Sequence, residues 1–379
     1  MLNHTITEFV AAGTLSGLFL ITVAVTAYLI YSHMSYYTVP QAQTYIVRII
    51  LMAPIYSFTS LLSVVFHEQS LYFDLARDCY EAFVLYQFFS LILYFFNMEA
   101  GEYFPSDTDD IRLKELNSLS DHNEIVIDGD EDDEEDDMIQ SEPRVEIETS
   151  HYLAKTGLAK FPFPCCCLPS VVPGSVLFMR IRLMVFQYVI ARPLLSLIAV
   201  ILHTQGDYHA GSFDIRYGYI WIALLMNLSV FVALYALLIF YQLTHHVIKS
   251  HRPLMKLLSI KAVLFFVFWQ SVLIAALAYK EWLPILDVNG GPDASAAIIN
   301  NVLVSIEMVI LAIVNLFAFA NTEYKIMFAY TIPDPNAETD KKKNYTSKRA
   351  KNIVTQVFNP MDIMKDGKNI LTGKETKVQ

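Results

Sequence analysis

Long apolar stretches separated by short polar ones run almost the whole length of this chain. Seven windows stand out: Phe9–Tyr31, Ile46–Phe66, Cys79–Asn97, Leu183–Leu202, Tyr217–Leu243, Leu257–Tyr279 and Ala296–Ala320. A hydrocarbon core of about 30 Å is crossed by about 20 apolar helical residues, and each window is near or above that length. Most are apolar all round rather than along one stripe, as a helix that meets lipid or protein on every side must be. A large soluble helical protein would show amphipathic stripes and charged faces, which these windows lack. The pattern predicts an all-α fold, a bundle of seven transmembrane helices. The first window is read as an uncleaved helix: only His4 and Glu8 precede or open it, and its apolar run exceeds the 7–15 residues of a signal peptide.

Composition sharpens this. Of 379 residues 54% are hydrophobic and 17% charged, where soluble domains run near 45–50% and 25%. A disordered chain, a collagen and a disulfide-rich module are excluded. The net charge of −11 looks out of place until it is located. Residues 99–178 hold 20 acids and 5 bases, whereas the remainder holds 18 acids and 22 bases. The organisation read from this is helices 1–3 over 9–98, an acidic, mostly disordered cytosolic loop over 99–178, helices 4–7 over 179–324, and a basic cytosolic tail over 325–379.

Lysine and arginine set the orientation. With the N-terminus outside, the inward segments carry 23 of them and the outward segments three, Arg77, Arg216 and Lys280. The bias predicts N-outside, C-inside. Asn3-His4-Thr5 is then a weak glycosylation acceptor on the outer side.

The loops hold further candidates. Asp130–Asp137 is an unbroken acidic run, read as a solvated linker in preference to a docking tail or a calcium sink, since the calcium-loop spacing is absent. Cys165, Cys166 and Cys167 precede Arg180 and Arg182, which makes them candidates for S-acylation, with buried thiols or a metal clip as alternatives. His245, His246 and His251 lie at a basic interface, and none of the seven windows contains an Asp. No zinc or aspartyl-protease chemistry is expected. The tail's Lys341–Lys343 and Lys348–Lys351 clusters suit an anionic leaflet. The short apolar stripe of Ile353, Val354, Val357, Phe358 and Met361 is either an amphipathic segment, lying on the membrane or docking on a partner, or a disordered tail.

Ionisable groups inside a membrane mark function by default. Arg192-Pro193 in the fourth window and Glu307 in the seventh fall at similar depth, with Asn227, Gln270 and Asn300 near the same level. These five are the candidate substrate-binding residues. An Arg192–Glu307 pair that only fixes helix packing is the alternative. Arg77 and Glu81, at i, i+4, form a candidate outer gate or interfacial pair.

Several segments are recognisable in order. They include Arg77-Asp-Cys-Tyr-Glu81, Met98-Glu-Ala-Gly-Glu102, Gln187-Tyr-Val-Ile-Ala-Arg-Pro193, Asn227-Leu-Ser, Arg252-Pro-Leu-Met-Lys256, Phe268-Trp-Gln270, Ser305-Ile-Glu-Met308 and Phe317-Ala-Phe-Ala-Asn-Thr-Glu-Tyr324. Over roughly residues 10–330 the chain resembles the organic solute transporter alpha-subunit / transmembrane protein 184 family. It looks closer to the transmembrane protein 184 branch, sharing a tail segment like Asn359-Pro-Met-Asp-Ile-Met-Lys-Asp366. The resemblance implies a seven-helix protein of plasma, vacuolar or endolysosomal membranes. It also implies facilitated movement of amphipathic organic anions or sterol-like solutes, a small single-span partner or a homo-oligomer, and lipidated cysteines at Cys165–Cys167. The Asp130–Asp137 run departs from the family pattern.

The expected activity is facilitative transport of such a solute, with Arg192 holding its anionic group. The rival is a non-transporting scaffold that recruits cytosolic partners through its tail and acidic loop. No enzyme activity, cofactor, metal or nucleic-acid partner is expected. A P-loop is absent, and no Lys in the seventh window offers a Schiff base for retinal. A signalling receptor would rest on fold analogy alone.

Overall fold

The computed structural model describes residues 6–103, 153, 174–208, 216–248, 270, 273–274, 277, 291–322, 324, 357 and 368. Among these, all regular structure is helical. The helices are α1 (Ile6–Ser35), α2 (Pro40–Ile50), α3 (Met52–Val65), α4 (Ser70–Tyr103), α5 (Ser175–Gln205), α6 (Gly218–Thr244) and α7 (Gly291–Ala318). Among the described residues six segments are long and apolar enough to cross a membrane, α2 and α3 counting together as one. Most of the Leu257–Tyr279 window lies outside the described residues, as do Asn3, Asp130–Asp137 and Cys165–Cys167.

Prolines and glycines punctuate these elements for identifiable reasons. Pro40 occupies the first turn of α2, where its missing N–H costs nothing. Pro54 lacks the N–H that would reach the carbonyl of Ile50, and the second span accordingly breaks into α2 and α3 at Leu51. At the end of α5, Gly206 takes φ +83°, a region open to glycine at little cost. Its N–H bonds to the His203 carbonyl at 3.1 Å, and the Asp207 N–H bonds to Leu202 at 3.1 Å, closing the helix. Gly218, which opens α6, sits so near Leu202 that a Cβ there would lie 2.6 Å from Leu202 Cδ1.

Large apolar side chains lie on the outside as well as in the core. Phe9, Leu20 and Tyr31 on α1, Leu194 and Ile201 on α5, and Trp221, Leu224 and Phe231 on α6 are all exposed. Continuous apolar faces of this kind are unstable in water and suit lipid. This is an integral, multi-pass membrane protein.

Contacts divide the chain into two compact units. One comprises Ile92–Met184, Tyr235–His251 and Pro360–Gln379; its core sets Phe240 against Phe96 and Phe178, with ring centroids 6.2 and 6.4 Å apart. The other comprises Met1–Leu91, Val185–Leu234 and Arg252–Asn359. Within it α1, α3 and α7 pack on one another. Ala11 and Leu15 near the start of α1 share an apolar cluster with Val64 at the end of α3 and Ile298 near the start of α7. At the other end, His33 Nε2 donates to the Phe319 carbonyl at 2.8 Å and Asn321 Nδ2 to the Ser32 carbonyl at 3.0 Å. Helices α1 and α7 are therefore parallel, and α3 is antiparallel to both.

Candidate functional site

Three helices bring charged and phenolic side chains together in the larger unit. Helix α4 contributes Asp78 and Glu81, three residues apart and hence on one face. Helix α5 contributes Tyr188, Arg192 and Ser196, spaced i, i+4, i+8 along one face. Helix α3 contributes Tyr56. Arg192 Nη2 bonds to Asp78 Oδ1 at 2.7 Å and to Glu81 Oε2 at 3.2 Å. Ser196 donates to the second oxygen of Asp78 at 2.5 Å. Tyr188 donates to Glu81 Oε1 at 2.7 Å, and Tyr56 to Glu81 Oε2 at 3.3 Å.

The side chains of Arg192, Asp78 and Glu81 are only 19%, 20% and 14% exposed. Charges so far from water persist only when paired and hydrogen-bonded, and each carboxylate here has donors on both oxygens. The balance is still uneven, since two carboxylates share one guanidinium. Arg77 does not correct this, because its Nη2 bonds to Asp74 Oδ1 at 2.9 Å. Its guanidinium lies 5.7 Å from the Tyr56 ring centroid. In the α5–α6 link, Tyr208 stands edge-on to Tyr219 at 5.7 Å. Burial first, then Tyr219, Asp78 and Asp74, raise the Tyr208 phenol above its ordinary range, keeping it neutral.

This arrangement corrects the expected pairings. Arg192 pairs with Asp78 and Glu81 rather than with Glu307, because α4 supplies two carboxylates to the face it occupies. Glu81 pairs with Arg192 rather than with Arg77, whose shorter i, i−3 reach to Asp74 wins. Asn227 lies on the exposed face of α6 and donates to the carbonyl of Ala223 at 2.7 Å. Two residues on, Ser229 is the one turned inward, exchanging hydrogen bonds with Gln187 at 2.8 Å in each direction. Glu307, Gln270 and Asn300 are half-buried. Glu307 Oε2 and Gln270 Nε2 are buried atoms without a hydrogen-bond partner among the described residues.

Sequence reasoning missed Asp78, Tyr188, Ser196 and Tyr56. The window opening at Cys79 cut Asp78 off by one residue, although the apolar span that takes in most of α4 runs His67–Ala100 and contains both Asp74 and Asp78. The i, i+4, i+8 spacing of Tyr188, Arg192 and Ser196 was the available signal. Among the described residues no group of His, Cys, Asp and Glu could hold a metal ion.

A second polar contact involves the tail. Arg48 is 1% exposed; its Nε donates to the Val357 carbonyl at 3.1 Å and its Nη1 to Gln87 Oε1 at 2.9 Å. Val357 itself is buried against Tyr37 and Val47.

The family model for the organic solute transporter Ostalpha matches residues 11–324. The chain belongs to this family. The family is one of a solute-transporter type rather than an enzyme class. The chain is also 35% identical over 308 residues to a transmembrane protein 184 homolog of Dictyostelium discoideum. The match covers 80% of this chain and 51% of that protein, so the Ostalpha-family chain spans about half the length of this curated relative. No solved structure matches it.

Proposed function

We propose that this chain is a facilitative carrier for amphipathic organic solutes, anionic or sterol-like. One observation carries the proposal: a guanidinium clasped by two carboxylates lies inside the apolar spans of an Ostalpha-family protein. Arg192 is 13 residues from the end of α5, roughly 20 Å at 1.5 Å per residue. A structural pair at that depth is costly and replaceable by apolar residues, so its presence favours a role in passage. Since Arg192 is already engaged, a solute anion reaches it by displacing Asp78 or Glu81. Binding and rearrangement of α4 against α5 are then one event. Gln270, Asn300 and Glu307 shape the polar path, and the partnerless Gln270 Nε2 and Glu307 Oε2 supply a donor and an acceptor.

The proposal includes seven spans with the N-terminus outside or lumenal and the C-terminus cytosolic. Helix directions support it. Within one unit the span made of α2 and α3 is antiparallel to α4, through Arg48–Gln87 from α2 and Tyr56–Glu81 from α3. Helices α4 and α5 are antiparallel through Glu81–Tyr188 and Asp78–Ser196. With α5 and α6 antiparallel in turn, α6 points the same way as α7, which asks for one more crossing between them. The basic residues place the tail inside. Lipid acylation at Cys165–Cys167, a single-span partner or a second copy, and a vacuolar, endolysosomal or plasma membrane location complete the reading.

Counterflow of a labelled steroid sulfate into proteoliposomes tests it. Wild-type protein is expected to give saturable flux, and Arg192→Gln to reduce it at least about tenfold. Folded wild-type protein with no flux for any amphipathic anion or sterol would overturn the carrier reading in favour of the scaffold.

A further inference from the structure

Helices α3 and α7 pack on one another, and each carries buried polar atoms that have no partner among the described residues. Ser57, Ser60 and Ser305 are 0% exposed and Asn301 is 8% exposed, and Ser57 Oγ, Ser60 Oγ, Ser305 Oγ and Asn301 Oδ1 have no hydrogen-bond partner among the described residues. Their placement follows from the packing. Val64 and Ile298 share an apolar cluster, with Leu61 and Val302 packed on it. Followed away from that contact along antiparallel helices, Ser60 comes level with Asn301 and Ser57 with Ser305. Ser57 lies seven residues from Val64, and Ser305 seven from Ile298, so both stay on the contacting faces.

Hydroxyls in this protein ordinarily solve the problem locally. Ser16, Thr22 and Ser90 donate to the carbonyl four residues back at 2.7, 2.8 and 3.0 Å. Ser57, Ser60 and Ser305 do not, nor do they bond across the gap, as small polar residues between membrane helices usually do. Zero exposure means that no water-sized space touches them either. Each atom therefore bears the desolvation of a polar group with nothing in return. Separation of the helices lets water reach all four atoms at once, which offsets part of the packing that is lost.

We infer that the α3–α7 face is a second polar site, closed here, that takes water and neutral hydrogen-bonding groups of a solute when the two helices separate. It carries no formal charge and is closed at one end by Leu61, Val64, Ile298 and Val302, so it complements the charged cluster instead of duplicating it. Its link to solute passage rests on the carrier reading; its opening does not.

The experiment separates the two. Ser60→Cys and Ser305→Cys, made singly in the full chain and kept in native membranes, are exposed to a permanently charged methanethiosulfonate, with the parent protein as background. Ala82→Cys, fully buried on α4, is the closed control. Both seam cysteines are expected to react at least about tenfold faster than the control, and failure of both to exceed it would sink the proposal. The double variant Ser57→Ala/Ser305→Ala is expected to raise the thermal midpoint by roughly 2–6 °C and to slow labelling of Ser60→Cys. A lowered midpoint would show that the hydroxyls have partners and overturn the proposal as well. Labelling without flux of any solute retains the opening and removes only the carrier reading.

Discussion

Tyr188 donates its phenolic proton to Glu81 Oε1 across 2.7 Å, from a position 107 residues further along the chain. Hydrogen bonds to charged acceptors contribute about 1.5–3 kcal/mol, roughly twice a neutral one. Tyr188→Phe keeps the ring and removes that donor. It should lower the thermal midpoint of the purified protein clearly more than Tyr56→Phe, whose bond to the same carboxylate is 3.3 Å long. Equal midpoints for the two variants would show that the Tyr188 bond holds Glu81 no more firmly than the Tyr56 bond does.

Removing Arg192 leaves two buried carboxylates facing each other. Arg192→Met should cost about 3–5 kcal/mol, the range for breaking a buried pair from one side. Adding Asp78→Asn and Glu81→Gln should recover much of the loss, since the remaining charges then disappear. The three thermal midpoints decide it: additive losses would mean that the groups do not form one electrostatic unit. Arg192→Lys should fall between, because an ammonium lacks the planar fork that serves two carboxylates.

Backbone conformation makes a sharper forecast at the end of α5. Gly206→Ala forces a Cβ into the left-handed region at about 1–2 kcal/mol, whereas Gly206→Asn is tolerated better because Asn visits that region readily. The midpoint order wild type, Asn, Ala checks it. A harmless Ala would mean that α5 ends elsewhere.

The tail contact is testable by proteolysis. Burial of Val357 on Tyr37 and Val47, with its carbonyl on Arg48, should protect the basic stretch just before it from trypsin. Val357→Asp should raise cleavage at Lys348, Arg349 or Lys351 by about tenfold or more, given about 1.5–3 kcal/mol for a buried Val. Arg48→Met should do the same more weakly, since the apolar contacts survive. Unchanged cleavage would place Val357 outside any docked segment.

Much of the fold was legible because length and hydropathy leave little freedom inside lipid. Helices α1, α5, α6 and α7 cover most of their windows for that reason. The break at Leu51 was in the sequence as Pro54, but its consequence needs the second span to be seen whole. Arg192 stood out as a lone charge in an apolar run, whereas Asp78 did not, because a window cut for hydropathy trims charged residues from its own ends. Depth along a helix placed Glu307 level with Arg192, yet depth says nothing of azimuth or of which helices are neighbours. Asn227 illustrates the same gap: one level, wrong face.

Pro193 stands between the two halves of α5 that grip the carboxylates. Ser196 follows it and holds Asp78; Tyr188 precedes it and holds Glu81. The proline ring has already removed the backbone bond to the Val189 carbonyl, so the ladder is weakest beside the one guanidinium that spans both halves. A change of angle there would stretch one carboxylate contact while keeping the other. Asp78 and Glu81 are thus two separate readouts of a single joint, and Arg192 is the bolt through it.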